Sequence, residues 1–295
     1  MIEKRLAQWY AADAGVDLDI VEREIVLTYV LRTLADRGLL SRLAFKGGTA
    51  IRKLFLGNQG RFSLDLDFTS VGENNPEDLI LDVVEALVSE PHYGIEFTIP
   101  STDYYVAPDS CGADVTYRHD WTTNSRFGIQ ISLRAQPLLP IQSMPLRRER
   151  YFDWLGMEPP EIPTLDFHEI LGEKIRATAQ RSRVRDVFDL YQLASHTFDR
   201  DIVRRIAIIK CWETRFAFEP DVFWQGLLSS RYNWSDLRRL VRRGRELTPE
   251  MILNGVRKDY AFLNNFTPEE AILAADPYRR QQQVYQQLID QLHEM

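Results

Sequence analysis

FKGGTAIRKLFLGNQGRFSLDLDFT, residues 45–69, is the stretch that decides the fold. In its second half, large apolar residues alternate with polar ones, and the apolar set is Phe62, Leu64, Leu66 and Phe68. An alternation of period two predicts a half-buried strand. Asp65 and Asp67 then share the polar face, with Cα atoms roughly 6–7 Å apart at about 3.3 Å per residue.

The first half of the same stretch predicts an anion site. Gly47 and Gly48 precede a short helical run from Thr49 to Phe55. Glycines before a helix leave backbone N–H groups free to approach a phosphate. Two acids alone are also typical of a solvated strand face, but a phosphate cradle and an acid pair in one unit suit nucleotide chemistry. Magnesium binds one or two carboxylates together with substrate phosphates.

Composition limits the class of protein. The 295 residues suit two domains or one large domain, and the 44% hydrophobic content can fill a sizeable core. Two cysteines and the absence of a signal-like segment at 1–15 predict a reduced, cytoplasmic protein. The apolar runs are too short for a membrane span. A net charge of −7 argues against general nucleic-acid binding, so any RNA contact requires a local basic patch.

The order of predicted elements indicates an α+β protein. We expect a helix over Leu18–Arg37, a capped helix start at Asn75–Pro76, and then strands, which cover Gly94–Ile99, Ala113–Arg118 and Arg126–Arg134. The segment 137–163 is rich in proline and arginine and is interpreted as a connection. Helical patterns continue from Leu165 to the end. We therefore predict a mixed α/β domain at 1–163 and an all-helical domain at 164–295.

A second polar block lies in FHEILGEKIRATAQRSRVRDVFDLY, residues 167–191. Lys174 falls on one helix and Asp186 on the next, with several arginines around the turn between them. The simpler interpretation is a solvated Lys174 and a pair between Arg185 and Asp189 at i,i+4. The functional interpretation is a cationic edge that faces a triphosphate, in which Asp186 positions a cationic side chain or a second metal.

Together, the two blocks resemble the AbiEii/AbiGii family of nucleotidyltransferase toxins, which includes MenT-like toxins. KGGTAIRKLF and RFSLDLDF, within 46–68, are similar to its first motif, a glycine pair followed by Arg-x-Ser-x-Asp-x-Asp. EKIRATAQRSRVRDVFDLY, residues 173–191, is similar to its second. The resemblance covers residues 45–195. It implies a polymerase-β-like nucleotidyltransferase fold, with a helical C-terminal domain that completes the active site.

The resemblance also implies roles for individual residues. Asp65 and Asp67 would bind Mg²⁺ or Mn²⁺, and Lys174 would hold the nucleoside triphosphate while Asp186 completes the catalytic set. The residues expected to contact phosphates are Gly47, Gly48, Thr49 and Ser63. Family members studied as toxins of toxin–antitoxin or phage-defence systems transfer a nucleotide to tRNA acceptor ends, which blocks translation. A cognate antitoxin neutralises them.

One position departs from the pattern of this fold, which usually has a third carboxylate on a neighbouring strand. The predicted strand FGIQISLR offers Gln130 there. Glutamine carries no charge, and is therefore a poor general base and a weak magnesium ligand. Either Asp186 or another acid takes the role, with Asp114 the nearest candidate, or the protein is slow or inactive.

A basic run, RYNWSDLRRLVRRGR at 231–245, is the candidate RNA contact. The spacing predicts that four arginines share a helical face, and these are Arg238, Arg239, Arg242 and Arg243. A charge run of this kind usually forms a solvated face. The alternatives are a surface that follows phosphates, with Tyr232 and Trp234 stacking an unpaired 3′ end, or a dock for an acidic antitoxin.

Three functions remain in competition. The first is magnesium-dependent transfer of a nucleotide to the 3′ end of tRNA. The second is a nucleotide-binding or partner-binding module with the same fold and no catalytic activity. This hypothesis is suggested by Gln130, which stands where a third carboxylate is expected. The third is a haloacid-dehalogenase-like phosphatase, since Asp65-Leu-Asp67-Phe-Thr69 matches D-x-D-x-T, although the required unbroken apolar strand and later acidic motif are missing.

Overall fold

The computed structural model describes residues 2–229, 232–244 and 246–294, which fall into two compact units. Unit one comprises Met1–Gln136, Ile141–Thr164 and Arg239–Gly244. Unit two comprises Pro137–Pro140, Leu165–Arg238 and Arg245–Met295. The prediction of a mixed α/β portion followed by a helical portion is confirmed. The two domains at 1–163 and 164–295 stay a prediction.

Unit one is built on a mixed sheet. Its helices are α1 (Lys4–Ala14), α2 (Leu18–Asp36), α3 (Gly47–Ala50), α4 (Pro76–Val88) and α5 (Phe152–Leu155). Its strands are β1 (Leu43–Lys46), β2 (Leu66–Ser70), β3 (Glu96–Thr98), β4 (Tyr104–Ala107), β5 (Ser110–His119), β6 (Thr122–Ser132), β7 (Gln142–Pro145) and β8 (Glu161–Thr164).

The described strands form one sheet in the order β3-β5-β6-β2-β1-β8-β7, and β4 also pairs with β5. β2 pairs in parallel with β6 and β1 in parallel with β8, whereas the other pairs are antiparallel. β2, which carries Asp67, is therefore central, with β1 on one side and β6 on the other.

Several local signals give the elements that the sequence predicts. α2 ends before Gly38, whose φ of 73° is the left-handed conformation that closes a helix. Asn75 caps α4 because its side chain accepts hydrogen bonds from the N–H groups of Glu77 and Asp78. Both predictions are confirmed.

The predicted strand over 62–69 is wrong in its first half, because β2 begins only at Leu66. The backbone before it bonds to distant groups instead of to a neighbouring strand. The Phe62 N–H donates to the carbonyl of Leu240 at 2.7 Å, and the Thr49 hydroxyl donates to the carbonyl of Asp65. Asp65 thus precedes the strand, whereas Asp67 lies within it.

The segment interpreted as a connection, 137–163, contributes to the sheet. It contains β7 and α5, and leads into β8, which extends the sheet beyond β1. The sequence pattern does not predict these three short elements, because prolines interrupt the alternation of polar and apolar residues, as Pro163 does within β8. The correction matters because β8 holds β1, and with it the glycine pair, from the side opposite β2.

Two buried cations anchor the helix that follows the glycine pair. α3 continues as a π-helical turn over Ile51–Leu56, which carries Arg52 and Lys53. Both side chains are buried and contact Glu24 of α2, at 3.1 Å and 3.0 Å. Burial alone would raise the pKa of Glu24, but Lys53 and Arg52 outweigh it and hold that pKa below its usual range. The Arg52 guanidinium also lies 3.8 Å from the ring centroid of Phe62.

Unit two is helical. Its helices are α6 (Phe167–Gln180), α7 (Val184–Leu193), α8 (Arg200–Glu213), α9 (Pro220–Ser229), α10 (Trp234–Leu240, which passes into unit one at Arg239), α11 (Pro249–Asp259), α12 (Pro268–Ala274) and α13 (Gln282–His293). Thr267 and Glu270 form a capping box at the start of α12. None of the described helices is both long and apolar enough to cross a membrane.

Candidate active site

Asp67 lies against the first glycine of the pair. β1 and β2 pair so that Lys46 faces Asp67, and Gly47 follows with φ of 78°. A Cβ at Gly47 would stand 2.2 Å from Oδ2 of Asp67, which is far inside van der Waals contact. Position 47 therefore has to be glycine for two reasons, the backbone conformation and the space that the Asp67 carboxylate occupies.

The second glycine makes room for a buried arginine and a serine. A Cβ at Gly48 would lie 2.4 Å from Nη2 of Arg61 and 2.9 Å from Oγ of Ser63. Arg61 is only 5% exposed, and its Nη1 donates to the carbonyl of Phe62. The structure thus gathers Gly48, Ser63 and a guanidinium at the start of one helix. Sequence reasoning did not assign Arg61, although it opens the Arg-x-Ser-x-Asp-x-Asp motif.

Asp65 contacts β6, which flanks β2 on the side away from β1. Its Oδ1 accepts a 3.0 Å hydrogen bond from the N–H of Gly128 in β6. A Cβ at Gly128 would meet that Oδ1 at 3.3 Å and Oδ1 of Asp114 at 3.9 Å. Asp114, in β5, faces Gly128 in the strand register. The carboxylates of Asp65 and Asp114 therefore lie over the same glycine.

Gln130 is the residue that the sequence offers where a third carboxylate is expected. β6 is parallel to β2, and Gln130 is the direct partner of Asp67 across the pair. Its Nε2 donates to the Tyr105 hydroxyl at 3.2 Å. No group of three or more His, Cys, Asp or Glu residues that could hold a metal occurs in the part of the chain that the structure describes.

The Lys174 cluster belongs to unit two, where the structure brings Lys174 and Asp186 together. The Lys174 ammonium lies 3.0 Å from Oδ1 of Asp186 and 2.8 Å from Oδ2 of Asp189, and Arg181 Nε lies 2.8 Å from Asp186. Lys174 is 7% exposed, so the interpretation as a solvated lysine is wrong. Burial alone would raise the pKa of Asp186, but Lys174 and Arg181 lower it well below its usual range.

The predicted arginine face does not form as expected. α10 ends at Leu240, so Arg242 and Arg243 lie beyond the helix that carries Arg238 and Arg239. Arg242 pairs with Asp13 at 2.6 Å, and the Arg243 N–H donates to the carbonyl of Ala14. The tertiary contacts of this turn override the helical spacing. Arg231 and Arg245, at the ends of the predicted run, lie outside the described residues.

A family model for the nucleotidyl transferase AbiEii toxin of type IV toxin–antitoxin systems matches residues 29–288. The chain belongs to this family. The match spans both units and contains the glycine pair, the acid pair and the Lys174 cluster. It confirms the predicted resemblance, and it decides against the phosphatase alternative.

Among solved structures, the chain is similar to MenT4, a nucleotidyltransferase toxin from Mycobacterium tuberculosis, with 25% sequence identity. The TM-score is 0.83, and the likeness covers 99% of each chain. The comparison with curated protein sequences finds no match. The structural likeness confirms the nucleotidyltransferase fold that the sequence predicts, and family and fold together make this chain a nucleotidyltransferase toxin.

Proposed function

We propose that this toxin transfers a nucleotide from a nucleoside triphosphate to the 3′ end of tRNA, with Mg²⁺ or Mn²⁺ bound at Asp65 and Asp67. The observation that carries the proposal is the position of these two acids. Asp67 adjoins Gly47 at the start of the glycine-rich helix, and Asp65 adjoins Gly128 on the next strand. Asp67 on β2 and Asp65 just before it thus lie between the proposed phosphate site and β6.

The residues present fit a divalent ion. Two carboxylates leave several coordination positions of a magnesium ion for phosphate oxygens and water, which is its usual arrangement in nucleotide sites. Asp67 is half-buried against Gly47, which positions one proposed ligand, while Asp65 is exposed and accessible. When bound, the ion would neutralise charge at the α-phosphate and on the leaving pyrophosphate.

The phosphate contacts come from the first helix and the segment before β2. We assign phosphate contacts to the N–H groups of Gly48 and Thr49, which have no helical carbonyl four residues before them. The Ser63 hydroxyl supplies a donor beside them, and Arg61 adds a cation whose position is fixed by burial. Thr49 links the helix start to the metal-binding segment through the carbonyl of Asp65.

We assign Lys174 to the triphosphate and Asp186 to its positioning. Two buried carboxylates hold the Lys174 ammonium, and one of them, Asp186, also binds Arg181. A carboxylate that two cations satisfy is poorly suited to accept a proton, because its pKa is lowered. Asp186 therefore orients cations, and Asp114, beside Asp65 over Gly128, is the candidate base for the attacking 3′-hydroxyl.

The deciding experiment uses each of the four labelled nucleoside triphosphates with total tRNA. Wild-type protein is expected to label RNA in the presence of magnesium, and Asp65→Asn and Asp67→Asn are expected to abolish labelling. Asp120→Asn, at an exposed acid in the β5–β6 turn, is the control and should keep full activity. Absence of label on RNA with all four nucleotides would refute tRNA as the acceptor. Label on protein instead would identify a protein acceptor.

Gln130 favours a second candidate, a module that binds nucleotide or a partner without chemistry. The direct partner of Asp67 is uncharged, so the site has two strand acids where three are usual. Calorimetry with a nucleoside triphosphate and magnesium distinguishes the two. Heat of binding without pyrophosphate release would support this candidate, whereas restored transfer in Gln130→Asp would identify position 130 as the limit on activity.

As a toxin of a type IV system, the chain also has an antitoxin as its expected partner. The exposed Arg238 and Arg239 remain the proposed contacts for RNA or for an acidic antitoxin. Arg242 is a weaker candidate since its guanidinium already pairs with Asp13. Salt dependence of tRNA binding in Arg238→Ala against wild type checks the RNA contact, because each lost phosphate contact lowers the slope by about one.

A further inference from the structure

The strand register aligns a row of residues that crosses the metal-binding strand. Lys46 faces Asp67, Asp67 faces Gln130, Gln130 faces Gly112, and Gly112 faces Tyr105 on the edge strand β4. The glycine pair lies at the β1 end of this row. Beyond Asp67, in the other direction, the row holds one amide, one glycine and one aromatic ring, with no formal charge.

The Tyr105 ring lies over Gly112 in this row. A Cβ at Gly112 would meet Cε1 of Tyr105 at 2.8 Å and its hydroxyl oxygen at 3.1 Å, so the ring covers the glycine. The hydroxyl accepts the hydrogen bond from Gln130, which fixes the ring. Tyr105 nevertheless remains 43% exposed, because the residue stands on an edge strand. An aromatic face is thus held in one orientation and open to solvent.

The opposite face of the same strands has a different composition. On β5 and β6, the residues that alternate with this row are buried and apolar, namely Cys111, Ala113, Ile129 and Ile131. An exposed tyrosine on the other face is not needed to cover that core. The residue beneath the ring is Gly112, which has no side chain. In the adjacent row, Gly128 likewise has no side chain and leaves space beside Asp65.

Reaction geometry assigns the two ends of the row to different substrates. In nucleotidyl transfer, the attacking hydroxyl and the leaving pyrophosphate lie on opposite sides of the reacting phosphorus, roughly in line. If the triphosphate lies at Gly47 and Gly48, the acceptor reaches Asp65 and Asp67 from the β6–β5–β4 side. That side carries Gln130 and Tyr105.

We propose that Tyr105, held by Gln130 over Gly112, is the platform on which the unpaired terminal base of the RNA acceptor stacks. Aromatic side chains bind unpaired bases by stacking, whatever their sequence. Gln130 then has two effects in place of the expected carboxylate. It fixes the ring by its hydrogen bond, and it removes a negative charge that would repel an approaching nucleic-acid strand.

This inference rests on the proposed transfer to RNA, and its test separates the two substrates. Initial rates are measured with tRNA varied at saturating triphosphate, and then with triphosphate varied at saturating tRNA. Tyr105→Ala is expected to raise KM for tRNA about tenfold, as the loss of one stacked base does, and to leave KM for the triphosphate unchanged. Tyr105→Phe keeps the ring and should stay within about threefold of wild type.

The matched control is Val106→Ala. Val106 is the next residue on the same edge strand, is 44% exposed, and points away from the row. Its substitution should leave both KM values unchanged. Binding of a fluorescein-labelled single-stranded RNA to the Asp65→Asn protein, followed by anisotropy, gives a readout without turnover, in which Tyr105→Ala should weaken binding by a similar factor.

The possible results are distinguishable. If wild-type protein labels RNA and Tyr105→Ala matches it in KM for tRNA, the platform is refuted while the proposed function stands. A rise in KM for the triphosphate alone would assign the ring to the nucleotide base and overturn the inference. If wild-type protein labels no RNA, the proposed function and the platform fall together.

Discussion

Replacing Gly47 by alanine tests whether the glycine pair positions Asp67, the proposed metal ligand. The added Cβ would lie 2.2 Å from Oδ2 and 2.8 Å from Cγ of Asp67. To restore ordinary contact, the carboxylate must move by about 1 Å, and a misplacement of that size in an active site costs about 100-fold in rate. We therefore expect kcat for nucleotide transfer to fall about 100-fold.

The same substitution also places alanine at a φ of 78°, which costs about 1–2 kcal/mol of folding free energy. Gly72→Ala separates the two effects. Gly72 has a φ of 77°, and nothing lies within 4 Å of the position of its Cβ. Gly72→Ala should show this backbone cost alone, and Gly47→Ala at least the same loss because of its additional clash with Asp67, both measured by urea denaturation; only Gly47→Ala should lose activity under conditions where both are folded.

The outcome has a clear refutation. If Gly47→Ala and Gly72→Ala transfer labelled nucleotide at similar rates under conditions where both are folded, then the position of Asp67 beside Gly47 does not matter for the reaction. In that case Asp67 is not a metal ligand in the proposed sense. Loss of activity in Gly72→Ala as well would show that the assay reports stability and not the site.

Three further perturbations follow from the contacts. Asp186→Asn should lower the free energy of unfolding at pH 7 by about 2–3 kcal/mol, less than for a fully broken buried pair because Asp189 still holds Lys174. Since the folded-state pKa of Asp186 is lowered, this contribution is present above the unfolded pKa of about 3.9 and is lost as pH falls below it. Urea unfolding at pH 7 and pH 3 checks this prediction. An equal difference in unfolding free energy between wild type and Asp186→Asn at both pH values would contradict it. Arg242→Ala should cost about 0.5–1 kcal/mol through the partly exposed pair with Asp13, in the same assay, and no loss would make the pair irrelevant. Thr49→Val removes the hydrogen bond to the Asp65 carbonyl and should cost about 1 kcal/mol, together with activity, whereas an unchanged transfer rate would separate Thr49 from the site.

The sequence predicts those parts of the fold that depend on neighbours along the chain. Helix starts at Asn75 and Thr267 are predictable because cap and first turn lie within four residues. The start of β2 is not, because the backbone of Phe62 bonds to Leu240, far along the chain. The burial of Arg52 and Lys53 is equally hidden, since their partner Glu24 lies on another helix.

The candidate site shows the same division. The acid pair and the glycine pair lie within one short stretch, so their spacing indicates their chemistry. Gly128 and Tyr105 gain a role only through strand register, which brings one to Asp65 and the other to Gln130. Glycine in the middle of a predicted strand was a usable signal, because it often marks a close approach by another group.

The two glycines beside the acid pair place its two carboxylates in different surroundings. At Gly47 an added Cβ would lie 2.2 Å from Asp67, whereas at Gly128 it would lie 3.3 Å from Asp65. The Asp67 carboxylate is therefore half-buried and packed against the helix start, while Asp65 is exposed and accepts a hydrogen bond from the Gly128 N–H. If both acids bind the metal as proposed, a half-buried acid beside the glycine pair and an exposed acid beside β6 suit a reaction in which the triphosphate binds at the helix start and the attacking hydroxyl arrives along the exposed face of the sheet.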